Sequence, residues 1–281
     1  MSRRTGSAAP YEARLRDVID LMAWPCFALA KQPRHRSIIR QDREDFLKVS
    51  PRSGGQGLAT IWDADVLIWA ISQLAERRDR RPHVSPVLTV SAFQVLRFLG
   101  KPTGRSQYDQ LAAALERLAA TEVETSLGAS PAAPARFRWI DHWERGDDGL
   151  TIVVPDWLLV MTVERRRVLR IDPAYLRLTS GIERWLWRLI HRHAHRKSTG
   201  WEIPLRALHP LSGSLAQPAD FVADLRRIAR RNGLPGYRLS VLWRNGEERL
   251  RAARSADSIH SAGPVPGDKP GIPSTDREAP L

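Results

Sequence analysis

Two hydrophobic periods alternate along the chain, and the switches between them mark out its elements. Asp63, a candidate N-cap, is followed by Val66, Leu67, Trp69, Ala70, Ile71 and Leu74, a wide apolar face that predicts a helix to about Arg77. Residues 90–99 predict a second helix, ended by Gly100 with Pro102 beyond. After a turn at 101–107, Tyr108, Leu111, Ala112, Leu115 and Leu118 recur at helical spacing and predict a third helix over 108–120. Strand character follows at 121–127, then a loop rich in Ala, Pro and Gly at 128–135. Two further strands, 136–143 and 150–154, are joined by the acidic turn Asp147-Asp148-Gly149.

The same order then returns. Residues 182–195 predict a long helix, Trp201 begins a short segment, and 204–208 predict a second helix. A turn at Ser212-Gly213-Ser214 leads into a third helix, Pro218–Arg231, with proline at its first position and Asn232-Gly233 closing it. Two strands, 237–243 and 248–253, flank the tight turn Asn245-Gly246. Ahead of both repeats, residues 12–23 predict a helix and the stretch after it reads as basic and irregular, with a loop at Ser53-Gly54-Gly55-Gln56-Gly57.

A helix-turn-helix followed by a β-hairpin is the layout of a winged helix. The predicted fold class is therefore α+β, with two winged-helix domains in tandem and a disordered C-terminal tail. The boundaries are an arm over 1–59, a first domain over 60–165, a second over 166–254, and a tail over 255–281 that is rich in Pro and Gly and poor in core residues. Residues 1–10 read as a disordered lead. Trp69, Trp185 and Leu186 fall on apolar helix faces and are predicted to be structural.

Charge sharpens this picture. The chain of 281 residues carries a net charge of +13, almost wholly from arginine, which favours a polyanionic partner and bidentate contacts to phosphate or guanine. A lone cysteine, Cys26, excludes an intrachain disulfide and a Cys-only zinc site, and its apolar surroundings predict a small buried hydrophobe. No apolar run reaches membrane-spanning length, and Pro25 breaks the LMAWPCFALA segment. Neither a signal peptide nor a membrane partner is expected, and the location predicted is cytoplasmic.

The helix Pro218–Arg231 is the most informative element. Phe221, Leu225 and Ile228 share one face, and Arg226, Arg227 and Arg230 the opposite one, with Ala219 and Ala223 between them. Such a face suits a major groove, where arginine reads guanine and alanine meets thymine methyls. Arg231 ends the helix, and Arg238, Arg244, Arg249, Arg251 and Arg254 lie on or beside the hairpin behind it. From Ala223 to Arg254 there are nine arginines and three acids, an imbalance that favours a phosphate-tracking surface over an ordinary solvated one. In the first domain, Lys101 and Arg105 in the turn and Gln110 and Arg117 on the third helix are the matching candidates, with packing of that helix as the competing reading.

His191, His193 and His195 form an HxHxH run, but no carboxylate or cysteine nearby completes a metal site. Interleaved with Arg192, Arg196 and Lys197, they read as a cationic helix end. Phosphate-loop, HExxH and GxSxG signatures are absent, so neither catalysis nor a cofactor is expected.

Several blocks carry a specific likeness: ATIWDADVLIWAISQL, YDQLAAALERLAATEVET, FRWIDHW, RIDPAYLRLTSGIERWLWRLIHRHA, HPLSGS and LPGYRLS. In one collinear order over about residues 20–245, the chain resembles the replication initiator protein A family of bacterial plasmids. That resemblance implies sequence-specific binding to repeated double-stranded sites at a plasmid origin, autoregulation, and recruitment of a host replication initiator and replicative helicase. A homodimer is a further expectation. A transcriptional repressor, a nickase-like DNA-processing enzyme and a basic scaffold remain the alternatives that the residues themselves leave open.

Overall fold

The computed structural model describes residues 14–255, apart from 82, 131, 132, 148, 196 and 198. The lead, the tail from residue 256 onward, Asp148 of the acidic turn and Arg196 of the cationic helix end lie outside the described residues.

The first segment departs from the helix expected over 12–23. Its described part holds a strand, β1 (Arg16–Val18), followed by a short helix, α1 (Ile19–Ala23). No local pattern could show why: β1 pairs antiparallel with a strand far along the chain, Val168–Arg170, with Val18 opposite Val168. The stretch expected to be irregular contains an antiparallel hairpin, β2 (Ile38–Asp42) and β3 (Asp45–Pro51). Ile38, Leu47 and Val49 turn inward from it, so the alternation is present but diluted by charged neighbours.

Helix α2 (Ala64–Arg80) buries Leu67, Ile68, Trp69, Ile71 and Leu74. Asp63 does not cap it through its side chain. The carboxylate turns back instead to accept from Thr60 N at 2.7 Å. A strand the sequence hid, β4 (Val87–Val90), precedes α3 (Ala92–Phe98), so the helix expected from residue 90 starts later. Ser91 sets that start with a capping box. Its hydroxyl accepts from Gln94 N, and the Gln94 side-chain Oε1 accepts from Ser91 N. Helix α4 (Arg105–Ala120) begins three residues before the expected 108, which puts Arg105 on the helix rather than in the turn.

Beyond α4 lie β5 (Thr121–Ser130), β6 (Ala133–Arg138), β7 (His142–Gly146) and β8 (Gly149–Val153). The loop expected over 128–135 is largely the two arms of a hairpin. The single strand expected over 136–143 divides between two sheets. Trp139 and Ile140 are consecutive and both buried, which breaks the strand alternation at the point where the chain changes sheet. Strands β5 and β6 extend the first hairpin into a sheet of order β2-β3-β5-β6, while β7 and β8 join β4 in the order β4-β8-β7.

Helix α5 (Asp156–Val163) and strand β9 (Val168–Arg170) lead to α6 (Gly181–Ala194). The helix expected over 204–208 is mostly another structure: β10 (Trp201–Pro204), then a 3-10 turn, then α7 (Leu208–Ser212). Helix α8 (Pro218–Arg231) has the expected bounds, and β11 (Tyr237–Arg244) and β12 (Glu247–Arg254) form the closing hairpin in a sheet of order β10-β12-β11. Asn245 and Gly246 both have positive φ, 53° and 75°, as a two-residue turn matched to strand twist requires.

The architecture is thus a mixed α/β fold in which one order occurs twice. Helix, strand, helix, helix, strand, strand describes α2, β4, α3, α4, β7, β8 and again α6, β10, α7, α8, β11, β12. In each, the first strand pairs with the third. The hairpin β5–β6 is an insertion in the first copy.

The two copies share one core. Trp69, Trp185 and Leu186 are buried in it as expected, as is Cys26, whose thiol burial pushes up to about 12. Two buried arginines of α6 bridge the halves. Arg184 reaches Asp65 of α2 at 2.7 Å and donates to the carbonyls of Leu176 and Leu178. Arg188 reaches Asp17 of β1 at 2.7 Å and donates to the Leu21 carbonyl. Gly181 lets α6 begin against the N-terminal segment, since a Cβ there would stand 1.9 Å from the Leu29 carbonyl oxygen.

Candidate nucleic-acid interface

Helix α8 divides cleanly by face. Phe221, Leu225 and Ile228 are buried, and Ala219, Ala223, Arg226, Arg227 and Arg230 are exposed. Asn232 stops the helix in the left-handed conformation, and its side-chain oxygen accepts from Leu239 N at 2.6 Å, which ties the helix end to β11. The arginines are not equivalent. Arg226 contacts Glu248 of β12 at 2.5 Å, and its guanidinium holds that carboxyl below the usual range. Arg227 pairs with Asp224 on its own helix, and Arg231 with Glu183 of α6. Arg230 has no ion pair among the described residues.

The hairpin arginines face elsewhere. Tyr237, Leu239, Leu250 and Ala252 turn inward. Alternation therefore puts Arg238, Arg244, Arg249 and Arg251 on the opposite face of the sheet from α8. Arg249 is largely covered there and held by Glu202 at 2.9 Å and Glu247 at 2.5 Å; Arg244 lies 3.6 Å from Glu202. Arg238 and Arg251 are exposed without an ion pair among the described residues. Arg254 packs against the α6 end, where it donates to the His195 carbonyl.

The α8 side of the hairpin tip carries Trp243, the last residue of the strand expected over 237–243 and not among the site candidates the sequence offers. It is 74% exposed and stands directly across from Glu248. Its alternation phase matches Tyr237, Leu239 and Val241, but its place beside Asn245-Gly246 carries it past the end of the core. Proximity to the turn was the signal available.

The first-copy candidates scatter. Lys101 lies 3.2 Å from the buried Asp65. Arg105 is exposed on the first turn of α4, and Gln110 is exposed one face over. Arg117 does not project outward: its Nε and Nη2 donate to both oxygens of Asp63 at 2.8 and 2.7 Å. Gln110 and Arg117 line a cleft of about 670 Å³ whose other wall includes Lys31 and His35 from the N-terminal segment and Trp62 from the turn before α2. That side of α4 is therefore partly roofed by the N-terminal segment, where local pattern predicts only a basic, irregular stretch.

The histidines of α6 are engaged in packing. His191 stacks on Trp187. Its Nε2 donates to the Arg170 carbonyl, which can only accept, so Nδ1 takes the Tyr237 hydroxyl at 2.6 Å. His193 stacks on Trp201. Burial lowers both imidazoles to about 4. Among the described residues no cluster of three His, Cys, Asp or Glu could hold a metal, and no helix is long and apolar enough to cross a membrane.

Three likenesses to known proteins follow this geometry. The sequence model of the family Replication initiator protein A matches residues 16–239. A protein of Wigglesworthia glossinidia brevipalpis named "Putative replication protein" is 25% identical over 235 residues, covering 80% of this chain and 84% of that one. The fold is similar to crystal structures of domains 2 and 3 of RctB. One, of selenomethionine derivatives, has a TM-score of 0.60 and 14% identity over 84% of this chain and 97% of that one; a second has a TM-score of 0.54 at the same identity and coverage.

Proposed function

The chain belongs to the replication initiator protein A family, and from that premise we propose that it initiates replication by binding specific double-stranded DNA through two winged helices, without catalysing a reaction itself. The observation that carries this reading is the open face of α8, where Arg226, Arg227 and Arg230 stand beside the exposed small residues Ala219 and Ala223. A face of that shape admits a groove floor, and its charge attracts the phosphates on either side. The twice-repeated element order, with the first strand paired to the third in each copy, supports the winged-helix assignment.

The two copies share a core and the buried Arg184–Asp65 ion pair, so they would dock as one body with fixed spacing between α4 and α8. Helix α8 then supplies base readout, and Arg105 and Gln110 a lesser contact. The DNA would be the repeated sites of a plasmid origin, with a host replication initiator and a replicative helicase as protein partners and a homodimer as the bound form. The test is a nuclease footprint of the folded chain on the DNA flanking its own gene. Regularly spaced protected repeats are expected there; uniform cleavage at protein concentrations that saturate random duplex would sink the reading.

A further inference from the structure

We propose that Trp243 is a stacking residue, which inserts its indole at a base step beside the groove that α8 enters and stacks on the nucleobase face that the insertion opens. The inference rests on the DNA-binding reading above and adds to it a contact that no arginine makes.

The large exposed hydrophobic residues of the described chain include Ile39, Phe93, Val160 and Leu215, and Trp243 is the most exposed of them. An indole left in water forfeits a large apolar burial, and tryptophan is the residue with most to gain from a flat partner. Its position selects that partner. Register places Trp243 on the same side of the hairpin as Glu248, and Glu248 holds Arg226 of α8 at 2.5 Å. The indole is thus one cross-strand pair away from the carboxylate that holds Arg226 of the arginine face. Arg244 follows it in sequence, exposed on the opposite face of the hairpin. On the indole's own side the cations are those of the α8 face, Arg226 and Arg230, and a flat apolar side chain next to that face is complementary to a nucleic acid, with anionic backbone outside and base faces within. An apolar protein partner would find one isolated indole among charges, without the contiguous patch such interfaces use.

The turn beneath the indole is tight and its strands are fully paired. Asn245 and Gly246 adopt the tight two-residue form, and the strands pair without a break from Tyr237 opposite Arg254 to Arg244 opposite Glu247. A wedge needs that backing, because parting a base step costs about a few kcal/mol.

The test takes a 30-bp duplex (about three helical turns) recovered by selection from a random pool on the full chain. Copies carry 2-aminopurine at successive positions, and a matched single strand is measured alongside. Expected for the parent chain is a fluorescence change at one or two adjacent steps on binding. Trp243→Ala and Trp243→Leu should keep the parental melting temperature, lose that change and bind about tenfold more weakly, the scale of one base–aromatic stack. Trp243→Phe should retain most of both, which a merely apolar role would not distinguish from leucine. A signal that appears only on the single strand overturns the placement beside the α8 groove. If folded Trp243→Ala binds the duplex and the strand as the parent does, the inference is overturned while the DNA-binding reading stands. A change in self-association with DNA binding untouched overturns it in favour of a contact between copies. A parent chain that recovers no duplex overturns both.

Discussion

Arg117 of α4 closes a two-point contact on Asp63 at the start of α2, with Nε on one carboxylate oxygen and Nη2 on the other. The same carboxylate accepts from Thr60 N, and Asp63 is buried. A residue that helical periodicity offers as a base reader is therefore committed to joining two helices. Arg117→Ala should cost about 2–3 kcal/mol, less than for a fully buried pair because the guanidinium side chain keeps 24% of its exposure. Urea unfolding measures this. At a temperature where the variant is folded, its DNA affinity should match the parent's; weaker binding at full stability would return Arg117 to the interface.

Arg230 and Arg226 share a face but not a state. Arg230 is free of ion pairs among the described residues, whereas Glu248 holds Arg226. Arg230→Ala should weaken binding and flatten the dependence of log K on log salt by about one unit if it contacts phosphate. If it reads guanine, the loss should concentrate on one base pair. Glu248→Gln should tighten binding to random duplex, because it frees Arg226 and removes a negative charge from the hairpin tip. Titrations at several salt concentrations separate these outcomes, and equal binding by both variants would take α8 out of the groove.

Arg184 and Asp65 are both almost fully buried and join the first helices of the two copies. Arg184→Met strands a carboxylate in the core beside Lys101 alone and should destabilise the chain by about 3–5 kcal/mol. Adding Asp65→Asn should recover part of that loss, since no uncompensated charge remains. Thermal melts of the single and double variants check this. An additive double variant would mean that the two groups do not depend on each other.

Acid should weaken the fold through α6. His191 and His193 titrate at about 4 in the folded chain and about 6.5 when unfolded, so the unfolded chain takes up protons first. Their contribution is intact above about pH 6.5 and is lost as pH falls toward about 4. Each imidazole should remove about 2 kcal/mol between about pH 7 and about pH 5. His191→Phe keeps a ring on Trp187 and should shrink that difference by one imidazole's share. An unchanged pH dependence in denaturant midpoints would count against the buried neutral form.

Helix α8 shows how far the sequence carries. Its bounds, its buried stripe of Phe221, Leu225 and Ile228 and its exposed arginines were all legible, because each follows from a period of 3.6 and a proline at the first position. The hairpin behind it was legible for the same kind of reason, a two-residue Asn-Gly turn between alternating strands. The collinear motifs also carried the family, through the order in which they occur.

Tertiary structure decided what depends on partners distant in sequence. Strand β1 exists because Val168–Arg170 lies beside it, and a three-residue strand has no periodicity of its own to announce it. Arg117 and Arg249 have the composition of DNA contacts, yet acids brought to them by the fold, Asp63, Glu202 and Glu247, occupy their guanidiniums. Strand parity sent Arg238, Arg244, Arg249 and Arg251 to the far side from α8 and left Trp243 on the near side. The sequence determines which residues carry charge and which faces are apolar, since both are local properties. Whether a charge is free or already paired is a distance between side chains, and only the folded chain sets it.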